Sequence, residues 1–489
     1  MRKSKLLSTE VGWLKKETLH ILDLVPLSTS SVAPTFSIAA AYGSMVALMG
    51  PYAIMGVVTS FPFFLFAAII FRQLNKKAPH CGASYHWGTR FIGKKYGGFQ
   101  FWIVTLAYFL SLPPIIIPAG EYTLDMFYRL GLITRTMELS IFWDSIVGII
   151  WAIIAAIPLL LGAKPTARFT EAFLFLELVI LSAFIVIGIT SLSTHIVNSF
   201  SWSWFFAPKW FSSSSYFFGL AATMVIVATI LDGWEIDSYA AEESKKPKLW
   251  PGLSGIIGLI SVFIIYMITM PIMTIETPIS ALSSSVDPLA RWASYVIPQY
   301  VWLLDIAVIT STASSLWLTS YILIRAWYSA GREGLLPKTF AWTSEKFKSP
   351  WFATIISTLA MIIVQLIELT SPSIQSFFGL VLTAAGAFLL AEFGIDSITA
   401  TIMWWREKAI TMRDWIIRVI APITAFGMIG TIIMGIIDAG PAFGYTTTEY
   451  GITLLAMASI GLVFLFKKFN VIIPDWLKED NKVKERNLK

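Results

Sequence analysis

The sequence predicts an all-α integral membrane protein with twelve transmembrane helices. Hydrophobic residues make up 56% of the 489 residues, charged residues only 13%, and the mean hydropathy is +0.71. These values lie outside the usual range of soluble domains. A spanning helix needs about 20 mostly apolar residues, and twelve stretches meet that length. They cover residues 20–48, 51–71, 99–127, 139–161, 168–191, 216–244, 250–274, 298–325, 351–371, 377–404, 415–437 and 450–468.

The basic residues predict how these helices are oriented. If the chain starts in the cytoplasm, all but four of the 36 lysine and arginine residues fall in cytoplasmic segments, the exceptions being Arg129, Arg135, Lys209 and Arg291. Short cytoplasmic loops of membrane proteins carry this excess. We therefore expect a multi-pass protein of the plasma membrane with both termini in the cytoplasm. The excess of basic residues in cytoplasmic segments also accounts for the net charge of +6. We therefore expect membrane lipid, and no nucleic acid, as a partner.

The two ends of the chain differ from the apolar middle. Residues 1–19 are basic and amphipathic and lack the compact apolar core of a cleaved signal peptide, so we expect an interfacial cytoplasmic segment. Residues 469–489 form a short charged tail, also expected in the cytoplasm. The single cysteine, Cys81, excludes an intramolecular disulfide and a thiolate metal cluster.

The longest connections indicate two repeats of opposite orientation. Residues 20–191 contain helices one to five, and residues 216–404 contain helices six to ten, which leaves 415–468 for two peripheral helices. The long connection after the second helix is predicted inside and the one after the seventh helix outside. Inverted repeats produce this arrangement, and they also pair helix breaks in the first helix of each half.

Both expected breaks have a sequence signal near the middle of their helix. Helix one contains Ser31-Val32-Ala33-Pro34-Thr35, where proline removes a backbone donor and clashes with the preceding turn. Helix six contains Asp232-Gly233-Trp234-Glu235. A charged residue at this depth costs from about 3 to over 10 kcal/mol unless it faces a cavity or is protonated. We therefore predict a substrate site between the two breaks.

Three stretches resemble the amino acid-polyamine-organocation (APC) superfamily of secondary transporters, of the amino acid permease type. They are Asp232 to Glu235 with Ala241-Glu242-Glu243, Gly82-Ala83-Ser84-Tyr85 with Gly97-Gly98, and the segment from Arg325 to Pro350. The resemblance implies a LeuT-type fold, a 5+5 inverted repeat with discontinuous helices one and six and two peripheral helices. Members often carry Gly-x-Gly in helix one, whose amides receive the substrate carboxylate. Here Ser31 to Thr35 stand in that place, and the amides of a half-helix attract anions whatever the side chains.

The residues of the second break have alternative roles. Asp232 is expected either to accept a hydrogen bond from a substrate ammonium group or to cap the orphan amides of the second half-helix. Gly233 permits backbone conformations closed to other residues. Trp234 is either a packed aromatic or a gate over the substrate. Glu235, which resembles the family's acidic position in helix six, is either the residue that binds and releases a proton or a structural carboxyl group.

Further acids and hydroxyls lie inside other predicted helices. Glu177 in helix five is a candidate for proton coupling, and a carboxylate there could equally bind sodium; we favour the proton. Thr312 and Ser315 in helix eight, and Glu392 and Asp396 in helix ten, are candidate cavity-lining residues. The alternative for them is a buried hydrogen-bonded role.

No enzyme motif is present, and the histidines are not spaced as metal ligands. We therefore expect a transporter rather than an enzyme, without a cofactor or metal. The leading hypothesis is proton-coupled symport of an amino acid by alternating access. Exchange, or import of cationic amino acids, polyamines or other organic amines, is the alternative, and a non-transporting nutrient sensor of the same fold is a third. The sequence indicates no oligomeric state.

Overall fold

The computed structural model describes residues 8–206, 214–370, 374–442 and 446–478. Every regular element within these ranges is a helix. Ten helical stretches are long and apolar enough to cross a membrane, and one of them, Ile21–Lys77, has the length of two crossings; Tyr216–Leu231 is a shorter apolar helix. The prediction of an all-α multi-pass membrane protein is therefore confirmed. Residues 1–7, Lys209 and residues 479–489, on which parts of the topology prediction depend, lie outside the described ranges.

The α-helices of the first half contain the predicted helices one to five. Their bounds are α1 Ile21–Val32, α2 Pro34–Met49, α3 Ala53–Lys77, α4 Ala83–Phe91, α5 Lys94–Ser111, α6 Pro113–Arg129, α7 Arg135–Glu138, α8 Ile141–Leu161 and α9 Ala163–Ser191.

The α-helices of the second half contain the predicted helices six to twelve. Their bounds are α10 Ser214–Leu231, α11 Ile236–Tyr239, α12 Leu253–Glu276, α13 Ile279–Ser283, α14 Pro288–Val296, α15 Val301–Glu333, α16 Trp351–Glu368, α17 Ile374–Arg406, α18 Met412–Ala442 and α19 Thr447–Ser459.

Among the helices that differ from the predicted limits, two have a clear local cause. The stretch expected at 99–127 is divided between α5 and α6, because Pro113 and Pro114 provide no backbone N–H to continue α5. The stretch expected to end at residue 325 continues to Glu333, where Gly334 ends α15 with a φ of 94°. Residues 326–333, which lie beyond the predicted end of helix eight, therefore belong to α15.

The centre of the bundle is formed by α1, α2, α10, α15 and α17, and α15 is buried along most of its length. The outer helices α9, α18 and α19 expose large apolar side chains, such as Phe175 (72% exposed), Phe426 (83%) and Leu455 (71%). Apolar side chains on the outside and polar ones at the centre are the arrangement expected of a bundle surrounded by lipid.

Both ends of the described chain pack on one face of the bundle. The backbone N–H groups of Thr18 and Leu19 donate to the carbonyl oxygen of Glu243 at 2.8 and 2.9 Å. The N–H of Ile472 donates to the Glu333 carboxylate at 3.1 Å. We call this the terminal face, and the other end of the bundle the opposite face.

Candidate functional site

Helix one is interrupted at Ala33, between α1 and α2. Ala33 has φ 54° and ψ 69°, in the left-handed region, which costs a non-glycine residue about 1–2 kcal/mol. Pro34 follows as the first residue of α2 and cannot donate to the last turn of α1. The surrounding packing therefore holds the chain in a conformation that it would not adopt alone.

Helix six is interrupted between Leu231 and Ile236, and this break touches the first one. Gly233 has a φ of 97°, and a Cβ at this position would lie 2.7 Å from the carbonyl carbon and oxygen of Ser31. A side chain at residue 233 is therefore excluded by both backbone conformation and space. The two interrupted helices meet at this point.

A small cavity lies beside the two breaks. The ends of α1 and α10 form part of its wall, and α2, α5, α6, α15 and α17 complete it. Among the described residues of the lining, Asp232 is the only charged one. The predicted residues Ser31, Val32 and Ser315 also line the cavity, whereas Ala33, Pro34, Thr35 and Gly233 form the breaks beside it.

Asp232 is half-buried and faces this cavity. No lysine, arginine or histidine of the described ranges forms an ion pair with it. A substrate ammonium group is therefore free to approach the carboxylate. The predicted role in substrate binding agrees with this geometry and stays a prediction.

Glu235 provides the hydrogen-bond acceptor for a backbone N–H group at the break in helix six. The N–H of Gly233 donates to its two carboxylate oxygens at 3.0 and 2.9 Å, and the Tyr108 hydroxyl donates to Oε1 at 2.8 Å. The side chain is fully buried and does not line the cavity. Glu235 makes no side-chain hydrogen bond to an amide of α11, so the capping role considered for Asp232 stays a prediction.

Trp234 is fully buried and is not among the residues that line the cavity. Its ring packs against Phe71 and Phe393, with ring centroids 5.1 and 5.5 Å apart. The indole N–H has no hydrogen-bond partner in the described part of the chain. This position fits the packed-aromatic alternative; the substrate-binding role of Trp234 stays a prediction.

Glu177 on α9 closes the N-terminal end of α2. The Thr35 N–H and the Ser311 hydroxyl donate to its Oε1 at 2.9 and 2.7 Å, and the Phe36 N–H donates to the Ser311 oxygen at 3.1 Å. The second oxygen, Oε2, is buried without a hydrogen bond of standard geometry in the described ranges, although the Thr35 hydroxyl lies beside the carboxyl group. Glu177 and Ser311 thus take up the two amides that follow Pro34.

The two predicted hydroxyl residues of helix eight, Thr312 and Ser315, are not equivalent. Ser315 reaches the cavity, with its hydroxyl 3.4 Å from the Ser31 carbonyl oxygen. Thr312 instead donates to the Val308 carbonyl within α15 at 2.7 Å and does not line the cavity.

Glu392 and Asp396 lie between the cavity and the terminal face. Glu392 accepts hydrogen bonds from the hydroxyls of Ser84 and Tyr239 at 2.8 and 2.7 Å. Asp396 accepts one from the Gln100 amide at 2.7 Å. Both acids are fully buried and outside the cavity lining, so the structure places them in hydrogen-bonded networks instead.

Two arginine–glutamate pairs are buried at the terminal face. Arg332 donates to both oxygens of Glu242 at 2.7 and 2.9 Å, and Arg325 donates to both oxygens of Glu243 at 2.8 and 3.0 Å. Bidentate pairs of this kind are strong and directional. Burial raises the pKa of Glu242, but the charge of Arg332 outweighs burial and lowers it to about 2.

The same region contains groups that could hold a metal ion. Ligand atoms of His80, Cys81 and Glu242, and those of His80, His86 and Glu333, lie within 4.8 Å of one another. The Arg332 guanidinium, however, already contacts Glu242 and lies 2.9 Å from the Nε2 of His80. Its positive charge lies against the ligand atoms of the first group and would repel a cation there.

The opposite face carries a different ion pair. Arg129 Nε lies 3.1 Å from the Asp305 carboxylate, and Arg129 also pairs with Asp125 one helical turn away. A broad pocket lies beside them, lined by several acids including Glu121 and Asp287. Asp305, near the start of α15, is therefore tied to Arg129 at the end of α6.

Several residues of the site carried no recognisable local signal. In the sequence, Tyr108 and Tyr239 are indistinguishable from other aromatic residues of apolar helices, and Gln100 is a single polar residue within an apolar helix. The ion pairs joining Glu242 to Arg332 and Glu243 to Arg325 connect residues far apart in the chain. The available signal for these pairs was weak: two adjacent acids follow helix six, and two arginines lie seven residues apart near the end of helix eight.

Comparison with known proteins agrees with this architecture. The chain is 23% identical over 362 residues to the branched-chain amino acid permease BcaP of Bacillus subtilis (strain 168), a match covering 70% of this chain and 72% of that protein. The model of the amino acid permease family matches residues 28–478, a range that includes both breaks, the cavity and the terminal-face ion pairs. The chain therefore belongs to the amino acid permease family, whose members are transporters and not enzymes.

Proposed function

We propose that the chain folds as a LeuT-type transporter with two inverted repeats, residues 20–191 and 216–404. Residues 415–468 form the two peripheral helices, and residues 1–19 and 469–489 lie in the cytoplasm beneath the plasma membrane. Support comes from the breaks at Ala33 and Gly233, which occur in the first helix of each half and touch. Under this proposal the terminal face is the cytoplasmic one.

The proposed function is secondary active transport of an amino acid by alternating access. The observation that carries it is the contact of two broken helices around a cavity with one charged lining residue, Asp232. Broken helices in transporters expose backbone dipoles to a substrate at mid-membrane. Breaking and re-forming the Glu242–Arg332 and Glu243–Arg325 pairs would open and close the cytoplasmic side. The likeness to a branched-chain amino acid permease makes leucine the first substrate to test.

Coupling to a proton, rather than to sodium, is part of the proposal. Glu177 and Glu235 are buried and accept hydrogen bonds from neutral donors. Neither forms an ion pair with a described lysine, arginine or histidine. Each can therefore gain or lose a proton without breaking an ion pair, and interior carboxyl groups serve as proton relays in membrane pumps and transporters. No cofactor is needed for such a cycle.

A second candidate is the transport of cationic amino acids, polyamines or other organic amines, by uptake or by exchange. The unpaired carboxylate of Asp232 in the cavity wall favours it. A positively charged group at this position would neutralise the acid and remove the cost of leaving it unpaired.

Uptake into proteoliposomes tests the function and its coupling. An inward proton gradient should drive accumulation of radiolabelled leucine or lysine, and Glu177→Gln or Glu235→Gln should uncouple or abolish it. Glu10→Gln, at an exposed acid, is the matched control and should transport normally. Accumulation driven by sodium alone and unaffected by either substitution would contradict proton coupling. Absence of uptake of any amino acid or amine would contradict transport itself.

A further inference from the structure

Two buried carboxyl groups meet between α8 and α16, outside the cavity lining and away from the terminal face. Asp144 lies near the start of α8, Glu368 is the last residue of α16, and their side chains are in contact. The exposed fraction is 1% for Asp144 and 0% for Glu368. Neither acid forms an ion pair with a lysine, arginine or histidine of the described ranges.

The surroundings of this pair offer few donors. All four carboxylate oxygens lack a hydrogen bond of standard geometry within the described part of the chain. The Ser145 hydroxyl, itself 1% exposed and also without such a bond, lies beside Glu368. On the other side, Asp144 lies against Gly120 of α6, where any Cβ would collide with its carboxylate. The pair is therefore enclosed by α6, α8 and α16.

The nearby charged groups lie toward the opposite face. Glu121 of α6 is close enough to act on both Asp144 and Glu368, and it also lines the broad pocket on that face. The other charged residues of the pocket are Asp125, Arg129, Arg135, Glu138, Asp287 and Arg291. α9 and α15 also pack on α8, and no charged group of their described residues acts on the pair. Besides Glu368, the charged group that acts on Asp144 is therefore another acid.

Two carboxylates in contact cannot both keep their charge in this position. Repulsion between like charges is strong in a site shielded from water, and an ionised carboxylate has no hydrogen to donate. If one carboxyl group keeps its proton, it donates to the ionised neighbour, and hydrogen bonds of this kind are short and strong. A metal ion agrees less well with the geometry. Hard cations such as calcium take about six or more oxygen ligands, whereas here two carboxyl groups contact each other with one hydroxyl beside them.

We propose that Asp144 and Glu368 bind one proton between them and form a proton site separate from Glu177 and Glu235. The protonated carboxyl group donates to the other, so the pair carries one negative charge and joins α8 to α16 near the opposite face. Loss of the proton leaves two negative charges, which repel each other across the two helices. The inference does not depend on the proposed transport function, because the contact lies outside the cavity.

Melting of the purified full-length protein at several pH values tests the shared proton. A proton that the folded protein holds and the unfolded chain releases makes stability fall as the pH rises, by about tenfold in the unfolding equilibrium constant per pH unit. Between pH 6 and 8 the fall in melting temperature should therefore be smaller in Asp144→Asn and in Glu368→Gln than in the wild type. Glu10→Gln, at an exposed acid, is the control and should follow the wild type at each pH. An equal fall in the wild type and both variants would overturn the proposal.

The doubly substituted protein distinguishes one shared proton from two independent ones. Each single amide already removes the shared proton, so Asp144→Asn combined with Glu368→Gln should show the same pH dependence as either substitution alone. If the double variant loses twice as much of the pH dependence, each acid holds its own proton and sharing is wrong. Both single variants should fold near neutral pH, because an amide can donate to the remaining carboxylate. Failure of both to fold contradicts the proposal.

Metal ions provide the last test. At constant ionic strength and pH 7, replacing choline chloride by sodium or calcium chloride should not change the difference in melting temperature between the wild type and Asp144→Asn. Anything that binds the folded protein raises its apparent stability by mass action. A metal ion that stabilises the wild type but not the variant therefore occupies the pair in place of the proton, and the proposal fails.

Discussion

Gly233 lies against the backbone of Ser31, so close that a Cβ on the glycine would be 2.7 Å from the Ser31 carbonyl carbon and oxygen. This contact joins the break in helix six to the break in helix one. The left-handed φ of Gly233 and the absence of a side chain are both necessary for it. The position of the cavity therefore depends on one glycine.

Gly233→Ala should lower both thermal stability and ligand affinity. The backbone conformation alone costs an alanine about 1–2 kcal/mol, and the clash with Ser31 can be relieved only by moving a break. The melting temperature of the purified protein and its ligand affinity measure the effect. Gly430→Ala is the matched control, since its Cβ meets nothing within 4 Å and alanine favours a helix. Wild-type melting and binding in Gly233→Ala would mean that the contact is dispensable.

Trp234→Ala should destabilise the protein without a selective loss of ligand binding. The ring fills space between Phe71 and Phe393, and removing a buried aromatic side chain typically costs about 3–5 kcal/mol. Trp202→Ala, at a tryptophan that is 71% exposed, should melt close to the wild type. A Trp234→Ala protein of normal stability that no longer transports would instead identify a gate.

Tyr108→Phe should slow proton-driven uptake more than it weakens ligand binding. The hydroxyl donates to Glu235 and does not line the cavity, and losing one such bond to a buried acceptor costs about 1–3 kcal/mol. The rate of uptake as a function of pH, compared with equilibrium binding, separates the two effects. Tyr295→Phe changes an exposed tyrosine and should alter neither. Equal losses of binding and rate would place Tyr108 in substrate recognition.

Cys81 is a natural reporter of the terminal face. Its thiol is fully buried beside Arg332, and its N–H donates to Glu242 at 3.2 Å. Burial and the charge of Glu242 raise the pKa of the thiol well above its ordinary value, and the thiolate is the reactive form. A maleimide should therefore label Cys81 only when the face opens, and Cys81→Ser should abolish labelling.

Glu242→Gln should accelerate this labelling. It leaves Arg332 buried without its counter-charge, which typically costs about 3–5 kcal/mol. Glu407→Gln, which removes a surface pair with Lys77, should have little effect. Because the pKa of Glu242 is lowered from 4.5 to about 2, the pair contributes fully above about pH 4.5 and is lost only as the pH falls toward 2. Labelling that rises between pH 7 and 5 would contradict this pairing.

The helix breaks could be predicted from the sequence because their causes are local. Pro34 lacks an N–H and Gly233 tolerates a left-handed φ, and both properties belong to the residue itself. The division of α5 from α6 had the same kind of signal in Pro113 and Pro114, which the prediction of one continuous stretch did not use.

The partners of the buried acids could not be predicted in this way. Glu177 contacts Thr35 and Ser311, which are 142 and 134 residues away in the chain. Hydropathy and spacing indicate that such an acid is buried, but they do not indicate which donor it meets. The extension of α15 was missed for another reason, since charged residues near the end of a spanning helix resemble a loop until Gly334 is considered.

The continuity of α15 has a mechanical consequence. One unbroken helix carries Asp305, paired with Arg129, near one end and Arg332, paired with Glu242, near the other. At 1.5 Å per residue these two positions are about 40 Å apart. Because α15 is one rigid element, a tilt of this helix would move Asp305 and Arg332 together and would affect both ion pairs. Asp305→Asn, on the opposite face, should consequently change the rate at which Cys81 is labelled on the terminal face.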